Sequence, residues 1–130
     1  MYKRQRIINA SWGGGSQSQA LKDAIEETQK YGSILVAAAG NEKRNNDVFS
    51  SYPANYNLPN IISVAATTLS EDIASFSNYG LTTVHVGAPG DKVLSTVLGD
   101  DYRSLSGTSM AAPVVSGVAA LMLSVNSDLS

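Results

Sequence analysis

The residues best suited to chemistry form the segment Gly107-Thr108-Ser109-Met110-Ala111-Ala112-Pro113. It places a serine after a glycine turn, in the first turn of an apolar stretch with helical periodicity that runs to Ser124. The start of a helix supplies free backbone N–H groups and a partial positive charge, which suit an anionic tetrahedral intermediate. Ser109 is therefore the candidate nucleophile. On helix logic alone, an N-cap role for Thr108 or Ser109 is the more common explanation of this pattern.

The framework that positions this serine is predicted from four short apolar runs. They are bounded by Gly, Pro and Asn, which predicts buried strands of a parallel sheet at Ile7 to Ala10, Ile34 to Ala39, Ile61 to Ala66 and Val84 to Ala88. Between the first two runs, a capping box at Ser16 opens a predicted helix that stops at Gly32. This strand-helix-strand unit makes the first two strands parallel and predicts an α/β fold.

In open α/β sheets, ligands gather beyond the carboxyl ends of the strands. The first two runs lead into Ser11-Trp12-Gly13-Gly14-Gly15 and Ala39-Gly40-Asn41, so both segments are candidates for ligand contact. Taken alone, Asn41 is more typical of a turn, and the Ser-Trp-Gly-Gly segment is more typical of an ordinary exit from a strand into a loop.

The rest of the chain is predicted to form a loop, a hairpin and one long helix. Residues Glu42 to Asn60 are rich in Asn, Ser, Tyr and Pro, which favours a loop with one ordered turn. Lys92 to Leu98 is a predicted strand, and Gly99-Asp100-Asp101 is the turn of a hairpin. Apolar residues cover most of the circumference of the helix from Thr108 to Ser124, so we expect it to be buried centrally.

Together these segments resemble the catalytic domain of the subtilisin-like serine proteases, the subtilases of peptidase family S8. The segment around Ser109 matches the active-serine motif of that family. Val36 to Asn41 resembles the segment that ends in the oxyanion-hole asparagine, and Ser11 to Gly14 resembles the substrate-lining strand. The resemblance extends from about Ile7 to Leu123, because three further segments follow the family order: Tyr52-Pro53-Ala54, Ala74-Ser75-Phe76-Ser77-Asn78-Tyr79-Gly80 and Ala88-Pro89-Gly90.

This resemblance implies a serine endopeptidase with a three-layer fold, in which a mostly parallel sheet is flanked by helices. Ser109 would be the nucleophile, and the side-chain amide of Asn41 would stabilise the oxyanion together with the N–H of Ser109. A polypeptide substrate would pair with an exposed strand edge by β-augmentation. The residues that the resemblance implies in substrate binding are Ser11, Trp12, Gly13, Ala38, Ala39 and Gly40.

The chain departs from the family pattern in its acid and its base. Subtilases use the chain order Asp, His, Ser, whereas the single histidine here, His85, follows Asn41 and lies inside a predicted strand. We therefore expect a structural role for His85 and solvated surface charge at the aspartates. Val114 replaces a histidine that usually follows the motif proline, and we expect it to be a buried apolar substitution.

These departures imply that residues 1–130 are the C-terminal portion of one peptidase domain, without the portion that holds Asp and His. We expect this chain alone to be incomplete or inactive. It should expose a sheet edge and apolar surface, and an N-terminal half that supplies Asp and His is a candidate partner. A catalytically dead peptide-binding protein with the same fold is the alternative.

Composition excludes several other classes of function. The net charge of -2 comes from 11 acidic and 9 basic side chains spread thinly along the chain, so no basic surface is expected to bind nucleic acid. The apolar run after the basic start is too short for the core of a signal peptide, so none is expected, and no apolar run approaches the ~20 residues of a membrane span. A secreted location is implied by the family resemblance alone. A nucleotide site at Gly13-Gly14-Gly15 is disfavoured because no phosphate-binding signature accompanies it.

No cofactor is required for the implied chemistry. The family often binds structural calcium, and Asn45-Asn46-Asp47 or carbonyl groups near Tyr52 are the residues that could contribute. Their spacing is not specific enough to assign a metal site, so no metal ligand is predicted.

Overall fold

The computed structural model describes residues 5–129 of the chain. In that range the chain forms strands and helices in the order β1 (Ile7–Ala10), α1 (Gln19–Gln29), β2 (Ile34–Ala38), β3 (Ile61–Thr67), β4 (Val86–Pro89), β5 (Val93–Val97), β6 (Asp101–Leu105) and α2 (Thr108–Val125).

Strands β1 to β4 form one parallel sheet in the order β1-β2-β3-β4. Every one of the four predicted runs contributes a strand, and the predicted parallel pairing of the first two is confirmed. The fourth strand begins later than predicted, so His85 lies just before β4 and not inside it. The side chain of His85 explains the difference, because its Nδ1 accepts the N–H of Ser63 at 2.9 Å, where a strand would present a backbone carbonyl.

The sheet is covered on both faces, which confirms the three-layer α/β architecture. Alternate residues of β2 belong to opposite layers: Val36 and Ala38 pack in one apolar cluster with Ala111 of α2. Leu35 and Ala37 pack in the other cluster, with Ile25 of α1. Because side chains alternate between the two faces of a strand, a strand that is apolar at every position is buried on both sides.

Helix α1 begins two residues later than the predicted capping box would place it. Ser18, not Ser16, is the N-cap, and its side chain accepts the N–H of Leu21 at 3.3 Å. Ser16 therefore has no capping role. The predicted stop is confirmed, since Gly32 follows the helix with a φ of 67°.

The predicted loop and hairpin are confirmed with small shifts. Residues 42–60 contain turns and one isolated bridge, from Asn45 to Tyr79. β5 and β6 pair antiparallel, with Val93 opposite Leu105. Asp101 belongs to β6, so the hairpin turn lies one residue earlier than predicted.

Helix α2 is buried at its start and exposed towards its end, which corrects the expectation of central burial. Thr108, Ala111 and Ala112 are buried, whereas Leu121 is 69% exposed and Val125 is 88% exposed. The physical reason is that α2 lies on the sheet through its first turns, and nothing among residues 5–129 covers its outer side. Val114 faces outward for the same reason, so it is not the buried substitution that was expected.

The length and composition of α2 also correct the prediction that no apolar run approaches a membrane span. Its 18 residues carry no charged side chain and could cross a membrane by those two criteria. In this fold its first turns instead pack against β1, β2, β3 and β4.

The parallel sheet has two edge strands, β1 and β4, and the expected exposed edge is present at β1. This strand pairs with β2 on one side, and no other described strand pairs with its opposite side. The unpaired edge of β1 and the apolar outer side of α2 are therefore open surfaces among residues 5–129.

Candidate active site

Ser109 lies in the first turn of α2 and is tied to Ser11 by two hydrogen bonds. Pro113 has no N–H, so the carbonyl of Ser109, four residues earlier, lacks its normal helical donor. The hydroxyl of Ser11 replaces that donor at 2.8 Å. In return, the Ser109 hydroxyl donates to the Ser11 carbonyl at 2.9 Å. The end of β1 therefore fixes both the backbone and the hydroxyl of the candidate nucleophile.

The turn before α2 is anchored to the end of β4. The N–H of Gly107 donates to the carbonyl of Gly90 at 2.8 Å. A Cβ on Gly90 would lie only 2.6 Å from the Cβ of Ala66, so only glycine lets the two segments approach this closely. This contact fixes where the helix begins relative to the sheet.

Asn41 is held by Thr108, the residue before the candidate nucleophile. The Oδ1 atom of Asn41 accepts the backbone N–H of Thr108 at 2.8 Å and its hydroxyl at 3.0 Å. Thr108 is fully buried, and its Oγ1 accepts the N–H of Gly40 at 3.2 Å. Because the oxygen of the amide is occupied by two donors, the NH₂ group of Asn41 must point away from Thr108.

The alternative that Thr108 or Ser109 merely caps α2 is wrong. Gly107 occupies the N-cap position, and no side chain caps the helix. Both hydroxyl groups bond to other elements, Thr108 to Asn41 and Ser109 to Ser11. They therefore connect the start of α2 to the ends of β2 and β1.

Two donors at this point have no acceptor among the described residues: the N–H of Ser109 and the Nδ2 group of Asn41. The first four N–H groups of a helix lack intrahelical partners. Here the N–H of Thr108 bonds to Asn41, and those of Met110 and Ala111 bond to Gly107. The free pair of donors and the helix start form the arrangement that stabilises an oxyanion.

A cleft of about 240 Å³ opens in front of these donors. Its lining includes Ser109 and Asn41 together with predicted substrate-binding residues from the ends of β1 and β2, namely Trp12, Gly13, Ala38 and Gly40. Ser11 acts behind the cleft, through its bonds to Ser109. Ala39 does not line it, because Ala39 is fully buried and its carbonyl accepts the amide groups of Asn46 and Asn78.

The cleft contains no histidine or aspartate among residues 5–129. His85 lines a different cavity, with Tyr56 and Thr83. The hydroxyl proton of Ser109 is directed at a backbone carbonyl, which does not accept a proton at neutral pH. The described residues that line the cleft therefore include a candidate nucleophile and a candidate oxyanion hole, without a histidine or aspartate that could act as a general base.

Comparisons with known proteins identify the family of this chain. The sequence model of the Subtilase family matches residues 2–130. The chain belongs to the subtilase family. It is 44% identical over 125 residues to Subtilisin DY of Bacillus licheniformis, a match that covers 95% of the chain and 44% of that protein. It is 45% identical over 124 residues to Subtilisin-like protease 2 of Plasmodium falciparum, covering 92% of the chain and 9% of that protein.

The fold of this subtilase chain also matches a solved structure. A cold adapted subtilisin-like serine proteinase superposes with a TM-score of 0.82 at 40% identity, over 92% of this chain and 42% of that one. This chain thus spans less than half the length of the relatives described here.

Sequence reasoning missed several residues that build the subtilase site. Thr108 was considered only as a cap, although it orients Asn41. Ser51 and Glu42 also line the cleft, and neither was predicted. Ser11 was predicted only as a substrate-binding residue, and the signal for its role in holding Ser109 was that Pro113 leaves the carbonyl of Ser109 without a helical donor.

Asp47 is more than the solvated surface charge that was expected. Its carboxylate accepts hydrogen bonds from the backbone and hydroxyl groups of Thr82 and Thr83 and from the N–H of Leu81. The hydrogen bond from the Thr83 hydroxyl is the main cause that lowers the pKa of Asp47 from 3.8 to about 2. Asp47 therefore connects the loop after Asn41 to the segment before β4.

We expect Asp47→Asn to destabilise the chain in a pH-dependent manner. The folded pKa lies below the unfolded one, so Asp47 contributes stability above about pH 4, and this is lost as the pH falls through about 2. Urea unfolding gives the free energy of unfolding of the parent chain and of Asp47→Asn. The difference between these two free energies should be clear at about pH 6 and should become smaller towards pH 2. A difference in the free energy of unfolding that stays constant over this pH range would contradict the role of the carboxylate charge.

The oxygen atoms considered for calcium are already engaged in hydrogen bonds. Oδ1 of Asn45 accepts the N–H of Asp47, Oδ1 of Asn46 accepts the amide of Asn78, and the carbonyl of Tyr52 accepts the N–H of Gly14. A calcium shell requires six to eight converging oxygen ligands. No group of three or more metal-ligating side chains occurs in the described range.

Proposed function

We propose that this chain supplies the nucleophile and the oxyanion hole of a subtilisin-type serine endopeptidase. The observation that carries the proposal is the pair of unpaired donors, the N–H of Ser109 and the Nδ2 group of Asn41, beside the Ser109 hydroxyl at one cleft. Membership of the subtilase family supports the same reaction. Residues 1–130 are the C-terminal portion of the catalytic domain, and an N-terminal portion provides Asp and His.

The proposed reaction is acyl transfer followed by hydrolysis. The Ser109 oxygen attacks the carbonyl carbon of the peptide bond while the histidine of the N-terminal portion accepts the hydroxyl proton. Negative charge develops on the carbonyl oxygen, where Asn41 and the N–H of Ser109 donate. The histidine then protonates the leaving amine, and water releases the acyl group from Ser109. The reaction requires no metal or cofactor.

The proposed substrate is an extended polypeptide that lies along the segment after β1. Trp12 is 52% exposed and Gly13 lines the cleft, so both are accessible to a chain. The N–H of Gly14 is already bonded to the carbonyl of Tyr52, so pairing with a substrate involves the residues before it. Neither nucleic acid nor a membrane is a proposed partner. The proposed location is outside the cell, in line with the name of one relative, Extracellular basic protease of Dichelobacter nodosus.

The N-terminal portion is proposed to cover the two surfaces that this chain leaves open. One is the unpaired edge of β1, which can accept a further strand. The other is the outer side of α2, where Val118 is 52% exposed and Leu121 is 69% exposed.

The test is to complete the domain. Residues 5–129 are joined behind the part of Subtilisin DY that precedes the matched region, and hydrolysis of a chromogenic peptide anilide is measured. We expect turnover by the fusion and none above background by this chain alone. If the fusion unfolds cooperatively and binds peptide but has no turnover, the protein is instead a non-catalytic peptide-binding member of the family.

A further inference from the structure

Asn78 is a buried asparagine whose whole side chain is used to hold the loop after β2. It lies in the connection between β3 and β4 and is 1% exposed. Its Oδ1 accepts the backbone N–H groups of Glu42 at 2.9 Å and Arg44 at 3.1 Å. Its Nδ2 donates to the carbonyl of Ala39 at 3.1 Å and to the side-chain oxygens of Glu42 and Asn46.

These bonds lie on both sides of Asn41. Before it, Ala39 accepts the Asn78 side chain, and the carbonyl of Gly40 accepts the backbone N–H of Asn78 at 2.9 Å. After it, Glu42 is bonded through both its N–H and its carboxylate. Asn41 itself is exposed and makes no bond to Asn78, so the contact acts through the neighbouring backbone.

The carboxylate of Glu42 closes the arrangement around Asn41. Its Oε2 atom accepts the backbone N–H of Asn41 at 3.0 Å and the Nδ2 of Asn78 at 2.9 Å. The backbone N–H of Asn41 is therefore occupied, and the side-chain Nδ2 is the donor that this residue can present to the cleft. Gly40 is required here, because its φ is 116° and a Cβ would collide with Asn78.

We propose that Asn78 is a positioning residue of the oxyanion hole, which fixes the backbone on both sides of Asn41 while Thr108 fixes its side chain. This inference rests on the proposed function. Asn78 touches neither the nucleophile nor the cleft lining other than Glu42 and Gly40, so it acts through Asn41. The position of an asparagine amide is required here, since its Oδ1 accepts two hydrogen bonds and its Nδ2 donates to three acceptors.

The decisive variant is Asn78→Asp, which preserves the shape but replaces the donor by an oxygen. That oxygen would face the Ala39 carbonyl, the Asn46 amide oxygen and the Glu42 carboxylate, so the loop must move. In the completed domain we expect kcat, corrected for active enzyme by burst titration, to fall about 10²-fold with little change in KM. Adding Glu42→Gln to this variant should recover part of kcat, because it removes one of two facing negative charges.

The matched control is Asn60→Asp, the same change at a buried asparagine far from the cleft. The Nδ2 group of Asn60 donates to the carbonyls of Ile25 and Ser33 and to the hydroxyl of Thr28. This variant should lose stability but keep kcat per active enzyme. Equal kcat values for Asn78→Asp and the wild-type fusion would overturn the inference, and so would an equal loss in the control.

A second measurement separates this inference from the proposed function. The side-chain amide signals of Asn41 and the backbone signal of Thr108 are recorded by NMR in the fusion. We expect both to shift in Asn78→Asp and not in Asn60→Asp. If the wild-type fusion has no turnover, the proposed function fails, and unchanged Asn41 signals in Asn78→Asp would then overturn the positioning role as well.

Discussion

Replacing Ser109 by alanine should lower turnover of the completed domain by about 10⁴-fold or more. Ser109 carries the hydroxyl that lies at the cleft beside the two free donors, and the variant leaves those donors in place. Residual catalysis should therefore come from those donors and from substrate binding, with KM nearly unchanged. The measurement is hydrolysis of the peptide anilide under saturating substrate.

The control for this prediction is Ser106→Ala, three residues earlier. The hydroxyl of Ser106 bonds to Asp91 and to the N–H of Lys92, outside the cleft. Its removal should leave turnover close to that of the parent fusion. A Ser109→Ala variant that retained comparable turnover would place the nucleophile elsewhere.

The second large effect is expected at Asn41, where alanine should reduce kcat by about 10²–10³-fold, a magnitude taken from the corresponding asparagine of subtilisin. Ground-state binding should change less, because the oxyanion forms only during the reaction. Thr108→Val should give a smaller loss of kcat, since the amide remains but loses one of its two anchors. Asn57→Ala, at an exposed position that lines another cavity, is the control.

A rise in KM with an unchanged kcat in Asn41→Ala would contradict the assignment. It would mean that the amide binds the substrate equally in the ground state and the transition state. In that case the cleft would bind peptides without the selective stabilisation that the two free donors predict.

The sequence predicted the architecture well because the sheet is buried on both faces. Runs such as Ile34 to Ala39 are apolar at every position, which is the pattern expected for a strand that is buried on both faces of the sheet. The start of α2 was equally readable, since glycine, serine and proline occur at fixed spacing around Ser109. The errors lie at segment ends, where a side chain replaces a backbone partner, as His85 does before β4.

The supporting contacts of the site were not readable, because they join residues that are distant in the sequence. Asn78 lies 36 positions beyond Glu42 and Thr108 lies 67 beyond Asn41, and no local pattern encodes such bonds. The partial exposure of α2 was missed for a related reason. Its composition predicts burial, but burial requires a further layer that residues 5–129 do not contain.

The role of Ser109 is tested most directly by covalent labelling of the completed domain with a fluorophosphonate, followed by peptide mass spectrometry. We expect one adduct, on Ser109, which is absent from Ser109→Ala and forms more slowly in Asn41→Ala. An adduct on another residue, or no adduct in a folded fusion that contains Asp and His, would contradict the assignment of Ser109 as the nucleophile.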